Sequence, residues 1–271
     1  MDHHFTVDVE EYFQVAAFDG VVARRDWPTM ASRVELQVLL LLELLAVRRA
    51  RGTFFFLGCV GEEHPNLVRR VVAAGHEVAS HGWNHVPVDR QDRAAFRQDA
   101  RRSKQVLEDI GGAPVIGFRA PSFSMCPWAF DVLAEEGYEY DSSVCPGLRV
   151  DGRGHLGAER HPHWVGACGA LVEYPPAVYR RFGVALPAGG AYFRALPYLV
   201  TRGALRDCER LGVPGTFYMH PWELDPDQPR IAASWWARTR HYTALSSTQL
   251  RLERLLAEFR FGRVCDTRLA A

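Results

Sequence analysis

The residues best suited to chemistry in this 271-residue chain are two histidines and two carboxylates. His81 and His85 stand four apart, a spacing at which two imidazoles on one side of a helical turn can face a single metal ion. Asp8 and Glu10 stand two apart in a run typical of a strand, so their side chains point to the same side. Adjacent carboxylates repel each other unless a cation or an arginine holds them. The pattern predicts two histidines and one carboxylate as metal ligands, with the other carboxylate free to act as a base.

Each of these pairs also has a simpler structural interpretation. The two histidines can be hydrogen-bonded imidazoles in a turn, and the two carboxylates can be a solvated acidic cluster at a strand end. Glu11, the next residue, is expected to point away from the pair and to face solvent. Neither pair alone therefore establishes a site.

Three further ionisable residues, Arg119, Asp141 and His220, each follow a short run typical of a strand. Arg119 could hold a carboxylate through a bidentate contact, although a structural salt bridge explains it equally well. His220 could donate a proton to a leaving group, or it could be a hydrogen-bonded residue at the rim of the fold. Because the C-terminal ends of parallel barrel strands share one face, we expect all these residues to converge there.

The elements that must position these residues alternate between strands and helices. Strands are predicted over 5–9, 53–57, 76–79, 115–118, 138–140, 171–174 and 216–219. Helices are predicted over 32–51, 65–74, 92–110, 128–136, 194–211 and 247–259, the last with a capping box at Ser246 and Gln249. The stretches 145–169 and 221–243 are expected to be irregular. The alternation predicts an α/β fold whose parallel sheet forms a barrel, either complete or incomplete; an open doubly wound sheet is the alternative.

Composition excludes several classes of protein. The chain has 32 basic and 32 acidic residues and is 48% hydrophobic, values that argue against disorder and against binding to nucleic acid or an anionic membrane. Its most apolar segment, 38–47, is too short to span a bilayer, and the N-terminus lacks the pattern of a signal peptide. Six cysteines without a CxxC pair indicate reduced thiols. We expect a soluble, cytoplasmic protein.

Five motifs together resemble the polysaccharide deacetylase family, metal-dependent carbohydrate esterases that include chitin and peptidoglycan N-acetylglucosamine deacetylases. The motifs are Thr6–Glu10, Ser80–His85, Arg119-x-Pro121, Tyr140–Ser143 and Met219–Pro221. The chain is most similar to the branch found with bacterial exopolysaccharide and exosortase gene clusters. The resemblance implies one domain over 1–271, with a C-terminal extension specific to that branch from about 221.

The family resemblance also implies an architecture and a reaction. The fold would be a distorted, incomplete (β/α) barrel with its active site at the C-terminal ends of the strands. The reaction would remove N-acetyl groups from amino sugars of a polysaccharide or its precursor, in exopolysaccharide biosynthesis. The implied cofactor is a divalent metal, with Zn²⁺ expected, and His81 and His85 resemble its ligands. The implied partner is an N-acetylated glycan, with no nucleic acid and no membrane span.

The remaining roles follow from the same resemblance. Asp8 resembles the catalytic base and Arg119 the arginine that orients it. His220 resembles the general acid, and Asp141 the carboxylate that supports it.

The chain departs from the family pattern in three places. In the third motif an aromatic residue usually follows the proline, whereas here Ser122 does and Phe123 comes one step later. The commoner first motif has two adjacent aspartates, whereas here the second acid is Glu10, so the third ligand is either Glu10 or Asp8. The tryptophan of the fourth motif is absent, and Trp83, Trp222 and Tyr192 are candidates for the apolar wall beside the acetyl group. The residues expected to contact substrate are Pro121, Ser122 and Trp222.

Two other functions fit the same residues. One is an amidohydrolase acting on a small non-sugar amide. The other is a catalytically inactive carbohydrate-binding protein, although binding alone requires no acid–base pair.

Overall fold

The computed structural model describes residues 2–147, 155, 157–167, 169–267 and 269. Its strands are β1 (His3–Val9), β2 (Thr53–Phe56), β3 (Glu77–Ser80), β4 (Gly117–Phe118), β5 (Tyr140–Asp141), β6 (His163–Val165), β7 (Leu171–Glu173), β8 (Val178–Arg181), β9 (Val184–Pro187), β10 (Thr216–Met219) and β11 (Phe261–Gly262). Its α-helices are α1 (Val34–Val47), α2 (Gly58–Glu63), α3 (Pro65–Ala73), α4 (Arg93–Gly111), α5 (Pro127–Glu135), α6 (Gly190–Ala195), α7 (Tyr198–Leu211), α8 (Trp235–Tyr242) and α9 (Thr248–Glu258).

Most of these strands form one curled sheet. Its order is β10-β1-β2-β3-β4-β5-β7-β6, with β11 also paired to β1, and all its pairs are parallel except β6 with β7. Beyond β7, Pro176 forms a parallel bridge with Thr216 at the start of β10, which brings the two sides of the sheet together. Strands β8 and β9 form a separate antiparallel hairpin. The predicted distorted, incomplete (β/α) barrel is confirmed, and the alternative of an open sheet is wrong.

The alternation of side chains along β1 determines what enters the barrel. Val7 and Val9 are fully buried in the core that packs the sheet against the helices, together with Val38 and Leu41 of α1. Successive residues of a strand point to opposite faces, so Asp8 points to the interior of the barrel. Parallel sheets are covered on both faces, which is why even this acidic strand end is buried.

Outside the stretch 145–169, the predicted elements were wrong in three places. The helix predicted over 194–211 is two helices, α6 and α7, because Pro197 between them has no N–H to continue a helical ladder. Helix α8 lies in the stretch 221–243 that was predicted to be irregular. The predicted capping box is also absent, since α9 begins after Ser247, whose side chain makes no capping bond.

The irregular stretch predicted over 145–169 lies partly outside the described residues, which omit 148–154, 156 and 168. Its described part contains β6. The division into a single domain with an extension from about 221 stays a prediction. Among the described residues no helix combines the length and apolar character needed to cross a bilayer. The five cysteines within them carry free thiols.

Candidate metal and acid–base site

A cavity of about 80 Å³ lies at the C-terminal ends of the barrel strands. Seven of the predicted site residues line it: Asp8, Glu10, His81, His85, Ser122, His220 and Trp222. The other three, Arg119, Asp141 and Pro121, do not line it. The expected convergence of strand ends therefore brings most of the predicted residues together.

Glu10, His81 and His85 form a cluster able to bind a metal ion. One donor atom from each lies within 4.8 Å of the others, and all three side chains are buried. Glu10 Oε2 lies 3.0 Å from His85 Nε2. The Nδ1 atom of His81 is 2.7 Å from the carbonyl oxygen of Arg119, which leaves Nε2 free to act as a ligand. Of the two carboxylates left open by the sequence, Glu10 is the one in the cluster.

The chemistry of this cluster fits a divalent cation. Glu10 Oε2 lies close to His85 Nε2, but the geometry of that contact is not that of a hydrogen bond, and His85 Nδ1 is buried with no partner at all. Such an arrangement costs free energy unless another group satisfies these atoms. Burial alone would raise the pKa of Glu10, but the adjacent His85 lowers it to about 2, so the carboxylate is ionised. Burial lowers the pKa of His81 to about 4, so its imidazole is neutral, as metal ligation requires. Two imidazoles and one carboxylate are a ligand set typical of zinc sites that keep an open position.

The two histidines lie in a loop and not on one side of a helical turn. The chain after β3 is an irregular loop in which Gly82 (φ 73°) and His85 (φ 58°) both adopt left-handed backbone conformations. Arg24 holds this loop, since its Nε donates to the Asn84 carbonyl and its Nη2 to the His85 carbonyl, each at 2.9 Å. The histidine rings are thereby brought to a centroid distance of 5.5 Å.

Arg119 holds Asp8 from inside the barrel. Its fully buried guanidinium donates from Nη1 to Asp8 Oδ1 at 2.7 Å and to Thr6 Oγ1 at 2.9 Å. The remaining donors go to Ser142, from Nε to the carbonyl at 2.9 Å and from Nη2 to Oγ at 2.8 Å. The contact with Asp8 is therefore a buried salt bridge through one carboxylate oxygen, and the bidentate contact, one of the two interpretations from the sequence, is not formed. Asp8 Oδ2 is left facing the cavity side.

His220 lies across the cavity from the two carboxylates. Its Nε2 is 3.9 Å from Asp8 Oδ2 and 3.6 Å from Glu10 Oε1. On the other side of the ring, Nδ1 is 3.2 Å from Glu223 Oε2, which also accepts the backbone N–H of His220 at 2.9 Å. Burial alone would lower the pKa of His220, but the hydrogen bond to Glu223 and the nearby carboxylates raise it. The ring also stacks on Trp222 at a centroid distance of 5.0 Å.

Asp141, which the resemblance implied as the support of His220, contacts other residues, and none of the contacts among the described residues joins it to His220. Its two carboxylate oxygens accept hydrogen bonds from the backbone N–H of Ser143 at 2.9 Å and from the Ser143 hydroxyl at 2.7 Å. It pairs with Glu173 on the neighbouring strand, and burial raises the pKa of both carboxyls. The turn after β5 folds Ser143 back onto Asp141, which occupies the carboxylate within its own strand end.

Glu223 is a site residue that sequence reasoning missed. It is buried, and its Oε1 accepts a hydrogen bond from Arg194 Nε at 2.6 Å. The spacing between His220 and Glu223 is that of a capping box, with Pro221 at the first helical position, and this pattern could have found it.

Arg194 was also missed, because its partners are remote in sequence. It is 1% exposed and donates to the carbonyl oxygens of His241 at 3.1 Å, Thr243 at 2.5 Å and Arg240 at 3.3 Å. These carbonyls lie at the C-terminal end of α8, where the negative end of the helix dipole favours a cation. Arg194 therefore ties α8 to Glu223 and, through it, to His220.

Of the residues expected to contact substrate, Ser122 and Trp222 line the cavity but Pro121 does not. Pro121 is buried beside Gly82, where a Cβ on that glycine would come within 3.6 Å of the proline ring. Ser122 and Phe123 both have φ near 56°, so the chain turns sharply and presents these two residues to the cavity.

Two of the three candidates for an apolar wall are at the cavity. Trp222 and Tyr192 line it. Trp83 instead packs beneath Arg102, whose Cζ lies 3.4 Å from the centroid of the Trp83 ring. Trp222 is held between His220 and His241, stacking on the latter at 4.1 Å.

Glu11 is buried rather than solvated, and the expectation of a solvent-facing side chain was wrong. Its carboxylate accepts hydrogen bonds from the backbone N–H groups of Arg33 at 3.0 Å and Val34 at 3.2 Å. These donors open α1, where backbone N–H groups lack partners within the helix. Glu11 is thus a helix cap and not part of the site.

Comparison with known proteins gives two family matches. Residues 38–140 match the model described as "Polysaccharide deacetylase", and residues 142–268 match one described as a domain of unknown function (DUF3473). The first segment contains both histidines of the metal-type cluster, and the second contains His220 and Glu223. Asp8 and Glu10 lie before both segments.

Individual relatives point the same way over shorter stretches. A chitooligosaccharide deacetylase from Sinorhizobium fredii is 43% identical over 67 residues, 25% of this chain and 28% of its own length. A peptidoglycan-N-acetylglucosamine deacetylase from Bacillus cereus is 30% identical over 98 residues, 36% of this chain and 46% of its own length. The chain thus spans less than half the length of either relative.

A solved structure extends the likeness in fold to most of the chain. The crystal structure of a putative polysaccharide deacetylase from Mycobacterium smegmatis superposes with a TM-score of 0.65 at 22% identity, covering 94% of this chain and 82% of that one.

Proposed function

We propose that this chain is a metal-dependent N-deacetylase. The family match and the named relatives support a place in the polysaccharide deacetylase family. It would hydrolyse the acetamido group of an amino sugar in a polysaccharide or its precursor, and the proposed setting is exopolysaccharide biosynthesis. The observation that carries the proposal is the convergence of a metal-type cluster, a carboxylate and a histidine on one cavity.

The dimensions of the cavity suit the acetamido group. A cavity of about 150 Å³ holds a benzene molecule in a well-studied engineered protein. The cavity here is about 80 Å³, enough for a group smaller than a benzene ring. The acetyl group would therefore enter the cavity beside Trp222 and Tyr192, while the sugar ring stays at its mouth.

Glu10, His81 and His85 are the proposed ligands of the metal ion, and Zn²⁺ is the proposed ion because of its preference for this donor set. When bound, such an ion supplies a Lewis acid that lowers the pKa of a coordinated water and polarises a carbonyl oxygen.

Asp8 is the proposed general base. Arg119 occupies its Oδ1 and fixes the orientation of the carboxylate, so that Oδ2 is available to accept a proton from the attacking water. The water oxygen adds to the acetyl carbon while that proton passes to Asp8.

His220 is the proposed general acid. Glu223 engages Nδ1, so Nε2 is directed to the cavity, where it can deliver a proton to the departing amine nitrogen. The carbon–nitrogen bond then breaks, which leaves acetate and the free amino sugar. Glu223 takes the supporting position that the resemblance had assigned to Asp141.

The test is acetate release from N-acetylated oligosaccharides, measured with the protein as purified, after dialysis against a chelator and after Zn²⁺ is restored. We expect release by the untreated protein, its loss on chelation and its recovery with zinc. Acetate release that is unaffected by thorough metal removal would contradict the metal-dependent mechanism. A protein that binds these glycans with stoichiometric metal and releases no acetate would contradict the proposed activity.

A further inference from the structure

We infer that Trp236 and Arg240, one turn apart on α8, form a subsite for the sugar unit next to the one whose acetamido group enters the cavity. The inference rests on the proposed deacetylase function and names a part of the glycan site that the catalytic residues do not supply. Its occupant is a neutral N-acetylated oligosaccharide rather than a single sugar.

The size of the cavity makes the rim decisive for binding a glycan. A volume of about 80 Å³ accommodates the acetamido group but not the rings of an oligosaccharide. Those rings must lie across the mouth. Ala16 and Ala17 line the cavity and are partly exposed, which is typical of residues at a mouth. Helix α8 packs against the short helix that contains them. Helix α8 itself reaches the cavity through Arg240 and His241.

Trp236 lies one helical turn before Arg240 on α8. Residues four apart on an α-helix are neighbours on one face, with Cβ atoms about 5–6 Å apart. Because Arg240 lines the cavity, Trp236 stands one turn beyond the rim on the same face. A glycan that leaves the cavity along α8 therefore meets Arg240 first and Trp236 next.

The exposure of Trp236 is unusual for so large an apolar side chain. It is 57% exposed and its neighbour Trp235 is 75% exposed, with their ring centroids 6.1 Å apart. What sets these two residues apart from singly exposed apolar side chains is that two indoles adjoin, and a contiguous exposed apolar patch is often a binding site. The flat face of an indole packs against the apolar C–H face of a pyranose ring, and a guanidinium donates hydrogen bonds to sugar hydroxyls or to an acetamido carbonyl.

The same helix provides a matched control. Trp235 has the same chemistry and a larger exposure, but one residue along an α-helix rotates the side chain by about 100°, away from the face shared with Arg240. A glycan bound along the face of Trp236 and Arg240 should therefore depend on Trp236 far more than on Trp235.

The experiment compares the full-length protein with the variants Trp236→Ala and Trp235→Ala. Calorimetric titration with the N-acetylglucosamine pentamer gives Kd, and acetate release from the pentamer gives KM and kcat. We expect Trp236→Ala to raise Kd and KM about ten-fold, in line with the loss of one aromatic stacking contact, with kcat within about two-fold of the wild type. Trp235→Ala should change each value less than about two-fold.

The outcomes separate this inference from the proposed function. Trp236-dependent binding without acetate release contradicts the deacetylase and leaves the subsite supported. Acetate release with an unchanged KM in Trp236→Ala, or equal weakening in both variants, overturns the subsite alone. The subsite is overturned if the wild-type protein does not bind the pentamer. It is also overturned if the protein, instead of binding glycan, sediments with phosphatidylcholine–phosphatidylglycerol vesicles in a way that depends on Trp236.

Discussion

The two ends of the barrel interior each contain a buried glutamate, and the two are held in different ways. At the N-terminal ends of the strands, Glu77 accepts hydrogen bonds from the Thr53 hydroxyl at 2.5 Å, the Tyr140 hydroxyl at 2.9 Å and the Cys265 backbone N–H at 3.1 Å. Burial raises the pKa of Glu77. At the C-terminal ends, Glu10 Oε2 contacts His85 Nε2 without the geometry of a hydrogen bond, and the pKa of Glu10 is about 2.

The buried histidines of the two ends differ in the same way. His4 contacts the Thr216 hydroxyl through Nδ1 at 3.0 Å and the Thr267 hydroxyl through Nε2 at 2.9 Å. His85, at the other end, has a buried Nδ1 with no partner. Both ends therefore contain buried ionisable side chains. What distinguishes the candidate site is that its polar atoms are left unsatisfied around a cavity, and the other end is a closed hydrogen-bonded network that stabilises the fold.

The largest expected difference between the two ends is in turnover. Asp8→Asn removes the proposed base while keeping the size of the side chain, so we expect kcat to fall about 10³-fold with metal content unchanged. Metal content is measured on the purified variant alongside acetate release. The matched variant His85→Ala should lose both metal and activity. Loss of metal from Asp8→Asn would instead make Asp8 a ligand.

A second, smaller effect tests which carboxylate supports His220. Glu223→Gln removes the charge beside Nδ1, and we expect kcat to fall about 10²-fold, because the proton on the imidazole is no longer stabilised. Asp141→Asn should lower kcat less than about five-fold and act mainly on the unfolding temperature, because its partners are Ser143 and Glu173. Comparable losses of kcat in the two variants at equal stability would restore Asp141 to a catalytic role.

The smallest effect concerns the closed end of the barrel, and it appears in stability rather than in turnover. Burial lowers the pKa of His4 to about 3 from the usual 6.5. The unfolded chain therefore binds the proton more readily than the folded chain does. The stability that the neutral ring contributes is fully present above pH 6.5 and is lost as the pH falls toward 3. As the pH is lowered below 6, the free energy of unfolding should fall less steeply in His4→Gln than in the wild type. The expected difference between the two slopes is about 1.4 kcal/mol per pH unit.

Urea unfolding of both proteins at pH 7.5, 6 and 5 measures this difference. We expect turnover of the folded variant at pH 7.5 to match the wild type, since His4 lies at the opposite end from the cavity. Parallel stability curves for the two proteins would show that His4 does not contribute to the acid sensitivity.

Much of this site could be predicted because its residues sit at strand ends that have strong local patterns. The run Thr53–Phe56 is fully buried and short, which is typical of a parallel strand, and Thr216–Met219 was predicted with its observed bounds. Once such strands are placed, the geometry of a barrel brings Asp8, Glu10 and His220 to one face. No information about partners distant in sequence is needed for that step.

The partner of each side chain could not be predicted in the same way. Asp141 and Glu223 are both acids near the C-terminal end of a strand, and only the turn that follows each one decides which faces His220. Helix α8 was missed because two large apolar residues, Trp235 and Trp236, lie exposed at its start, against the amphipathic pattern of a surface helix. Its position depends on Arg194, more than 40 residues earlier in the chain, as the Arg194–Thr243 bond shows with its separation of 49 residues.

The central place of β1 in the sheet has a consequence for the order in which the protein is made. β1 pairs with β2, which follows within about 50 residues, and with β10, whose Thr216 aligns with His4 across 212 residues of chain. During synthesis the N-terminal parts of a protein can begin to fold first, and contacts between distant segments form last. On a ribosome, Glu10, His81 and His85 could meet while the codon for His220 is still untranslated. A nascent chain would then acquire its metal-type cluster well before its proton donor, and become competent for hydrolysis only when nearly complete.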